Sequence, residues 1–272
     1  SDGFSFNGNN SAVNSSGDGY VAWNWKANGA GSANTAGTIN STVSANTTAG
    51  FSIVSYTGNG TGNSTIGHGL GATPKFIIVK NRTTAQAWGT KSDSFVSASD
   101  PNIVYLNSTA AQADDTNVWG TSAAFNNNTF TVGDWNGSNQ SGSNFIAYCF
   151  AEKRGYSKFG SYTGNGNANG SFIYTGFSPA WFLVKRTNGT NGWYLYDNKR
   201  PGYNLIANTL SPNTSAVEDA GTGYNAVDFV SNGVKIRQSN PDLNTSGSTY
   251  IYIAFAENPI VDSTGKIPAT AR

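Results

Sequence analysis

Apolar and polar residues alternate over short stretches of this 272-residue chain, and turn residues punctuate them about every ten positions. Phe51-Ser52-Ile53-Val54-Ser55-Tyr56 alternates in part and then breaks at Gly58-Asn59-Gly60, the period expected of a strand with one buried face. Phe76 to Val79 and Trp181 to Val184 are unbroken apolar runs, which predicts strands covered on both faces. Pro74 and Pro179 stand just ahead of these runs, where a missing N–H costs no ladder bond. Asn232-Gly233 lies between Val227-Asp228-Phe229-Val230 and Val234-Lys235-Ile236 and predicts a type I′ hairpin turn. The corresponding turn in the first half, around Asn127-Asn128, is looser. Only Ser108 to Asp114 has room for a helical turn.

The pattern occurs twice. Ser-Tyr-Thr-Gly-Asn-Gly stands at 55–60 and again at 161–166, and the Pro74 strand matches the Pro179 strand at an offset of 179 − 74 = 105. Trp88 and Trp193 keep that offset, as do Ser141-Gly142 and Ser246-Gly247, and Phe150-Ala151-Glu152 and Phe255-Ala256-Glu257. Separated matches in one register mark an internal repeat, and the repeated tryptophans Trp88 and Trp193 read as core. A third, partial copy opens the chain: Phe4 and Phe6 alternate as Phe130 and Val132 do, and as Val234 and Ile236 do. Tyr20-Val21-Ala22-Trp23-Asn24-Trp25 likewise matches 145–150 and 250–255. The expected organisation is all-β: a terminal hairpin at 1–26, an extended linker at 27–49, and two tandem β-sandwich-like domains at 50–156 and 157–272. A lone hairpin is marginal in water, so residues 1–26 are expected to close an upstream unit, with Ser1 a start left by processing or truncation, or else to add to the domain that follows; both can hold. The linker is nearly all Ala, Gly, Ser, Thr and Asn, although Ile39 and Val43 suit an extended segment lying along a neighbour.

Composition narrows the function by exclusion. Charged residues make up 11% and the formal net charge is +1, so no basic field draws nucleic acid or an anionic membrane. No apolar run approaches the ~20 residues of a membrane span. One cysteine, Cys149, rules out an intrachain disulfide framework, and its apolar neighbours predict an inert buried thiol.

Catalytic constellations lack parts, and the chain is not expected to be an enzyme. The single histidine, His68, sits in Gly67-His68-Gly69-Leu70-Gly71 and has no counterpart in the second copy. A local turn role is expected, with ligand contact the alternative. No metal or other cofactor is expected: Asp114-Asp115 fits a solvated loop better than a calcium site. Glu152 and Glu257 are repeat equivalents and suggest a shared structural bond rather than a sugar-cleaving pair. Sugar recognition needs flat rings beside amides and carboxylates. Trp119 and Trp135 stand in polar loops without a Trp counterpart in the second copy, and Tyr203 and Tyr224 are similar in that copy. These four, with His68, are the candidate ligand-binding residues; the alternative is that the rings cap the sandwich ends or fill an oligomer contact.

Several strings resemble a known family. Tyr20-Val21-Ala22-Trp23-Asn24-Trp25-Lys26, the stretch 41–54, and Gly67-His68-Gly69-Leu70-Gly71 with Pro74 are similar to a repeat near the C-terminus of marine phage tail-fibre-like structural proteins. Ile253-Ala254-Phe255-Ala256-Glu257-Asn258-Pro259 and Ala269-Thr270-Ala271-Arg272 resemble the endings of those proteins. The second copy departs from the pattern by lacking the Gly-His-Gly turn. The resemblance implies a virion appendage, often with a concanavalin-like lectin domain upstream, that attaches to a host surface, glycan being the ligand class. It also implies other virion proteins as partners and a homo-oligomer, fibres being commonly trimers; the scarcity of edge lysines points the same way. The alternatives are a non-binding virion structural or decoration protein, or a bacterial surface adhesin or filament subunit.

Overall fold

The computed structural model describes residues 4–6, 11–95, 101–121, 125–200, 203–220 and 225–258. The architecture is all-β and antiparallel, as the alternation predicts. In the first unit the strands are β1 (Ser32–Asn34), β2 (Ser41–Asn46), β3 (Phe51–Thr57), β4 (Ser64–Gly67) and β5 (Phe76–Asn81). They continue with β6 (Gly89–Ser92), β7 (Asn102–Tyr105), β8 (Ala113–Asp114), β9 (Thr129–Val132) and β10 (Asn144–Phe150). Eight form one sheet in the order β1-β2-β3-β10-β5-β6-β7-β8, and β4 pairs with β9. The second unit comprises β11 (Ser157–Thr163), β12 (Phe172–Tyr174), β13 (Pro179–Arg186), β14 (Trp193–Asp197) and β15 (Asn208–Thr209). It ends with β16 (Asp219–Ala220), β17 (Val227–Val230), β18 (Gly233–Ile236) and β19 (Thr249–Ala256). Its sheets run β11-β19-β13-β14, β12-β18-β17 and β15-β16.

The order β3-β10-β5-β6 is therefore rebuilt as β11-β19-β13-β14. Period-two alternation divides each strand between two cores. In β10, Phe145, Ala147 and Cys149 face a core inside the first unit, while Phe150 turns to the other face and meets the second unit. In β19, Tyr250, Tyr252 and Ala254 face the second unit's own core, and Ile251, Ile253 and Phe255 turn back toward the first. A third core thus lies between the two sheets, built from Phe76, Val104, Phe159, Leu183, Leu195 and their neighbours. Each large side chain so buried contributes roughly 1.5–3 kcal/mol, so the units are packed together and not merely tethered.

The copies match in detail. Tyr56 stacks on Phe145 and donates to Ser138 O at 2.6 Å; Tyr162 stacks on Tyr250 and donates to Leu243 O at 2.7 Å. Asn139 and Asn244, fully buried and 244 − 139 = 105 apart, tie the same loops together. Asn139 Nδ2 donates to Asn59 Oδ1, Thr61 O and Gly133 O, and its Oδ1 accepts from Asn59 N. Asn244 Nδ2 donates to Asn165 Oδ1, Asn167 O and Gln238 O, and its Oδ1 accepts from Asn165 N. A buried amide needs every partner it can find, and both copies supply the full set.

Four expectations change. Residues 27–49 are no linker: they supply β1 and β2, and Ile39 and Val43 join the first core. Polar side chains do not prevent this, because backbone bonds hold β2 to β3 and two apolar residues suffice for the inner face. The described part of 1–26 carries no strand. Ser11–Asn14 (α1) makes one helical turn, and 20–27 runs alongside with alternate residues half-buried. Trp25 closes over the inter-unit core, 5.4 Å from Trp181 and 5.3 Å from Phe255. Ser108 to Asp114 forms no helix; the second helical turn is Thr116–Trp119 (α2). The β17–β18 hairpin turns at Ser231 and Asn232, because Val230 pairs with Gly233. Asn232 and Gly233 have no positive φ, so the turn is not type I′. Gly233 is required for another reason: a Cβ there would stand 2.2 Å from Ile173 O on β12. Pro179 does open its strand, and Pro74 lies two residues ahead of β5.

Candidate functional site

The structure separates the expected ligand residues. Trp119 is not in an exposed loop. Asp115 caps α2 by accepting from Asn117 N, and the turn points Val118 and Trp119 inward, where Trp119 is completely buried against Phe125. Its ring is unavailable to a sugar. Trp135 is half-buried, edge-on to Tyr105 and packed against the first core. Tyr203 is 81% exposed. Tyr224 lies outside the described residues. Trp193 is core and donates its indole N–H to Tyr105 O across the units at 2.9 Å. Trp88, expected to be core, is only half-buried and lies under the Lys80 ammonium at 5.5 Å.

His68 is buried and serves its turn. Nε2–H faces Asn126 O at 3.0 Å and Nδ1 accepts from Leu70 N at 3.2 Å, an arrangement that fits the neutral ring. Burial holds its pKa below the ordinary histidine value, with the Asn126 carbonyl opposing. The second copy does have a counterpart, unrecognisable by residue type. His68 N donates to Asn128 O and Thr175 N to Asn232 O at the same point of the two units, and Thr175 also bonds backbone two residues on, at Phe177 O.

The other reactive side chains are engaged locally. Cys149 is buried, and burial drives its thiol far above the ordinary range. Glu152 pairs with Lys158 at 2.8 Å and accepts from Phe159 N at 3.4 Å, whereas among the described residues Glu257 pairs with Lys199 at 3.7 Å, so the equivalent glutamates share no bond there. Asp114 belongs to β8 and Asp115 to the α2 cap, which divides that pair. Among the described residues no three of His, Cys, Asp and Glu come together as metal ligands, and no helix is long and apolar enough to cross a membrane.

Two of the concavities among the described residues bear on ligand binding. One, of about 610 Å³, opens between the two large sheets and is lined by Trp25, Phe51, Ile78, Phe150, Trp181 and Phe255 among others. Its lining is almost wholly apolar, and a sugar hydroxyl buried there would go without partners. The other, of about 930 Å³, lies between residues 12–21 and the segment around Arg200 and 210–218. Here the half-exposed ring of Tyr20 stands with Asp18, Arg200, Ser215 and Glu218. The polar groups are held in place: Arg200 bonds Asp197 at 2.8 Å and Glu218 at 2.5 Å, and Glu218 accepts from Asn208 at 2.6 Å. Tyr203 follows Arg200 by three residues. Composition concealed this groove, since Tyr20 belongs to the strand-like string shared with both copies and reads as core.

No curated protein and no solved structure matches this chain. The model of a family described as a domain of unknown function matches residues 1–259, nearly the whole chain, which therefore belongs to the DUF7483 family.

Proposed function

We propose that this chain is a segment of a virion appendage of the tail-fibre kind, exposed on the particle, that contributes to host attachment by contacting a surface glycan. The observation that supports this most is the Tyr20 groove, where an exposed ring adjoins a guanidinium, two carboxylates and a hydroxyl. That combination offers a stacking face and hydrogen-bonding arms for a sugar. Tyr203, three residues after Arg200 in the chain, is a second ring exposed to solvent. The reading rests otherwise on the resemblance to phage tail-fibre-like repeats and assigns the chain no reaction.

The test is a glycan array probed with the recombinant chain, followed by competition against particle adsorption on host cells. Selective glycan binding that falls about tenfold or more in Tyr20→Ala and Tyr203→Ala is expected, a loss of roughly 1.4 kcal/mol. Absence of glycan binding, or binding indifferent to both substitutions, defeats the reading.

A further inference from the structure

The two units differ most before their first shared strand. In the first, residues 31–46 precede β3 and close two strand edges. β2 pairs with β3, and residues 38–41 seal β4. Ile39 N donates to Thr65 O at 3.0 Å, Thr65 N donates to Thr38 Oγ1 at 2.8 Å, and Ser41 Oγ donates to Gly67 O at 3.0 Å. In the second unit, residues 151–156 run directly from β10 into β11. The equivalent edges there are β11 and β12.

The correspondence at β12 follows from register. Ile66 pairs with Phe130 and Ile173 with Val234, all four buried in their cores. Thr65 therefore matches Phe172, and Gly67 matches Tyr174. Thr175 N donates to Asn232 O and Ile236 N to Ser171 O. Alternation along an antiparallel pair then turns the N–H and C=O of Phe172 and Tyr174 away from β18. These are the groups that residues 38–41 satisfy in the first unit.

The two edges are not equally open. On β11, Lys158 takes the place of the fully buried Ser52 and is held by Glu152 at 2.8 Å; a charge at an inner-facing position blunts an edge against pairing. β12 has no charged residue and displays Phe172 and Tyr174, 48% and 64% exposed. An edge that carries no charge and displays rings beside unpaired backbone groups is open to another strand.

One segment of the chain has the matching character. Of the 15 phenylalanines, only Phe4, Phe6 and Phe172 are exposed. Phe4 and Phe6 meet edge to face at 5.2 Å across Ser5, so both rings share one side of the chain. Their spacing is also that of Val234 and Ile236 on β18, the strand β12 already pairs with. We propose that β12 of one copy receives Phe4-Ser5-Phe6 of a second copy as a fourth strand of its sheet. The rings would then form cross-strand aromatic pairs beside the new backbone bonds. Donor and acceptor are different surfaces, so the contact is heterologous and propagates from copy to copy.

Sedimentation velocity over a range of micromolar concentrations tests this, with two double variants of the whole chain. Phe172→Lys with Tyr174→Lys removes the acceptor; Phe4→Ser with Phe6→Ser removes the donor. The wild type is expected to associate with rising concentration, and each variant to associate about tenfold more weakly or not at all. All four side chains are exposed, and each variant keeps one intact half. Mixing the two variants is therefore expected to restore a dimer that goes no further, which also shows that both are folded. A wild type monomeric throughout the range overturns the proposal. So does association that survives the donor substitutions, which would mean edge-to-edge pairing of β12 with itself, and so does a mixture that fails to dimerise.

Discussion

The first unit completes its sheets with its own chain, whereas the second repeats the same frame and leaves the corresponding edges without a strand. Everything the two hold in common serves the frame: the β3-β10-β5-β6 order and its copy, the stacked rings Tyr56–Phe145 and Tyr162–Tyr250, and the buried amides Asn139 and Asn244. What differs lies at the edges and in the loops. Residues 31–46 are present in one unit only, and the exposed rings of Phe172, Tyr174 and Tyr203 all belong to the other. A duplicated domain thus separates what is needed to fold from what is free to be used, without any other sequence for comparison.

The largest expected effect tests whether the two frames are energetically as alike as they look. Asn139→Asp replaces a buried donor facing three acceptors with an oxygen, opposing Asn59 Oδ1, Thr61 O and Gly133 O at once. Each buried polar group left without its partner costs about 1–3 kcal/mol, so a loss of about 4 kcal/mol or more is expected in urea denaturation. Asn244→Asp is expected to match it within about 1 kcal/mol. A large asymmetry would mean that one unit relies on its neighbour for stability through the core between the sheets.

Next in size is Trp119. Fully buried, it is expected to cost about 3–5 kcal/mol when cut to Ala. Its indole N–H has no hydrogen-bond partner among the described residues, so Trp119→Phe is expected to cost less than half as much. A Trp119→Ala variant of unchanged melting temperature would restore this residue to the surface.

The contrast between Trp119 and Tyr203 also shows how far the sequence can be read. The repeat, its register and the two-faced strands were legible, because a strand's period and a fixed offset both survive in the residues themselves. The burial of Trp119 was not. It depends on a single helical turn whose cap, Asp115, looks like half of an acidic pair. Asn139 and Asn244 stood in register with Ser141-Gly142 and Ser246-Gly247, but in so Asn-rich a chain one more matching Asn carries no weight until its four bonds are seen. The residues 27–49 misled for a related reason: pairing in a sheet is a backbone property, and their polar side chains are silent about it.

A smaller effect distinguishes the two turns. Burial lowers the His68 pKa in the folded chain, with the Asn126 carbonyl opposing, while the unfolded chain takes up a proton below about pH 6.5. The unfolded state therefore binds more protons as pH falls through that value, and stability drops, by at most about 1.4 kcal/mol per pH unit. Thr175 holds the equivalent turn without titrating. In His68→Thr the fall below about pH 6.5 is expected to be shallower than in wild type, read as the difference between two chemical-denaturation series. Parallel curves for the two proteins would mean that the ring charges in place.

The smallest expected effect on stability belongs to Tyr203, a ring that the proposed function assigns to glycan contact. Tyr203 is 81% exposed, and surface changes away from caps and networks stay within about 0.5 kcal/mol. Its neighbour Asn204 does the structural work, donating to Phe229 O and accepting from Phe229 N at 2.7 and 2.9 Å. Asn204→Ala is accordingly expected to destabilise by about 0.5–1.5 kcal/mol, while Tyr203→Ala leaves the melting curve in place and lowers glycan binding. If Tyr203→Ala instead unfolds the chain as readily as Asn204→Ala, the ring belongs to the frame after all, and the loops of the second unit lose their claim to be the part left free to bind.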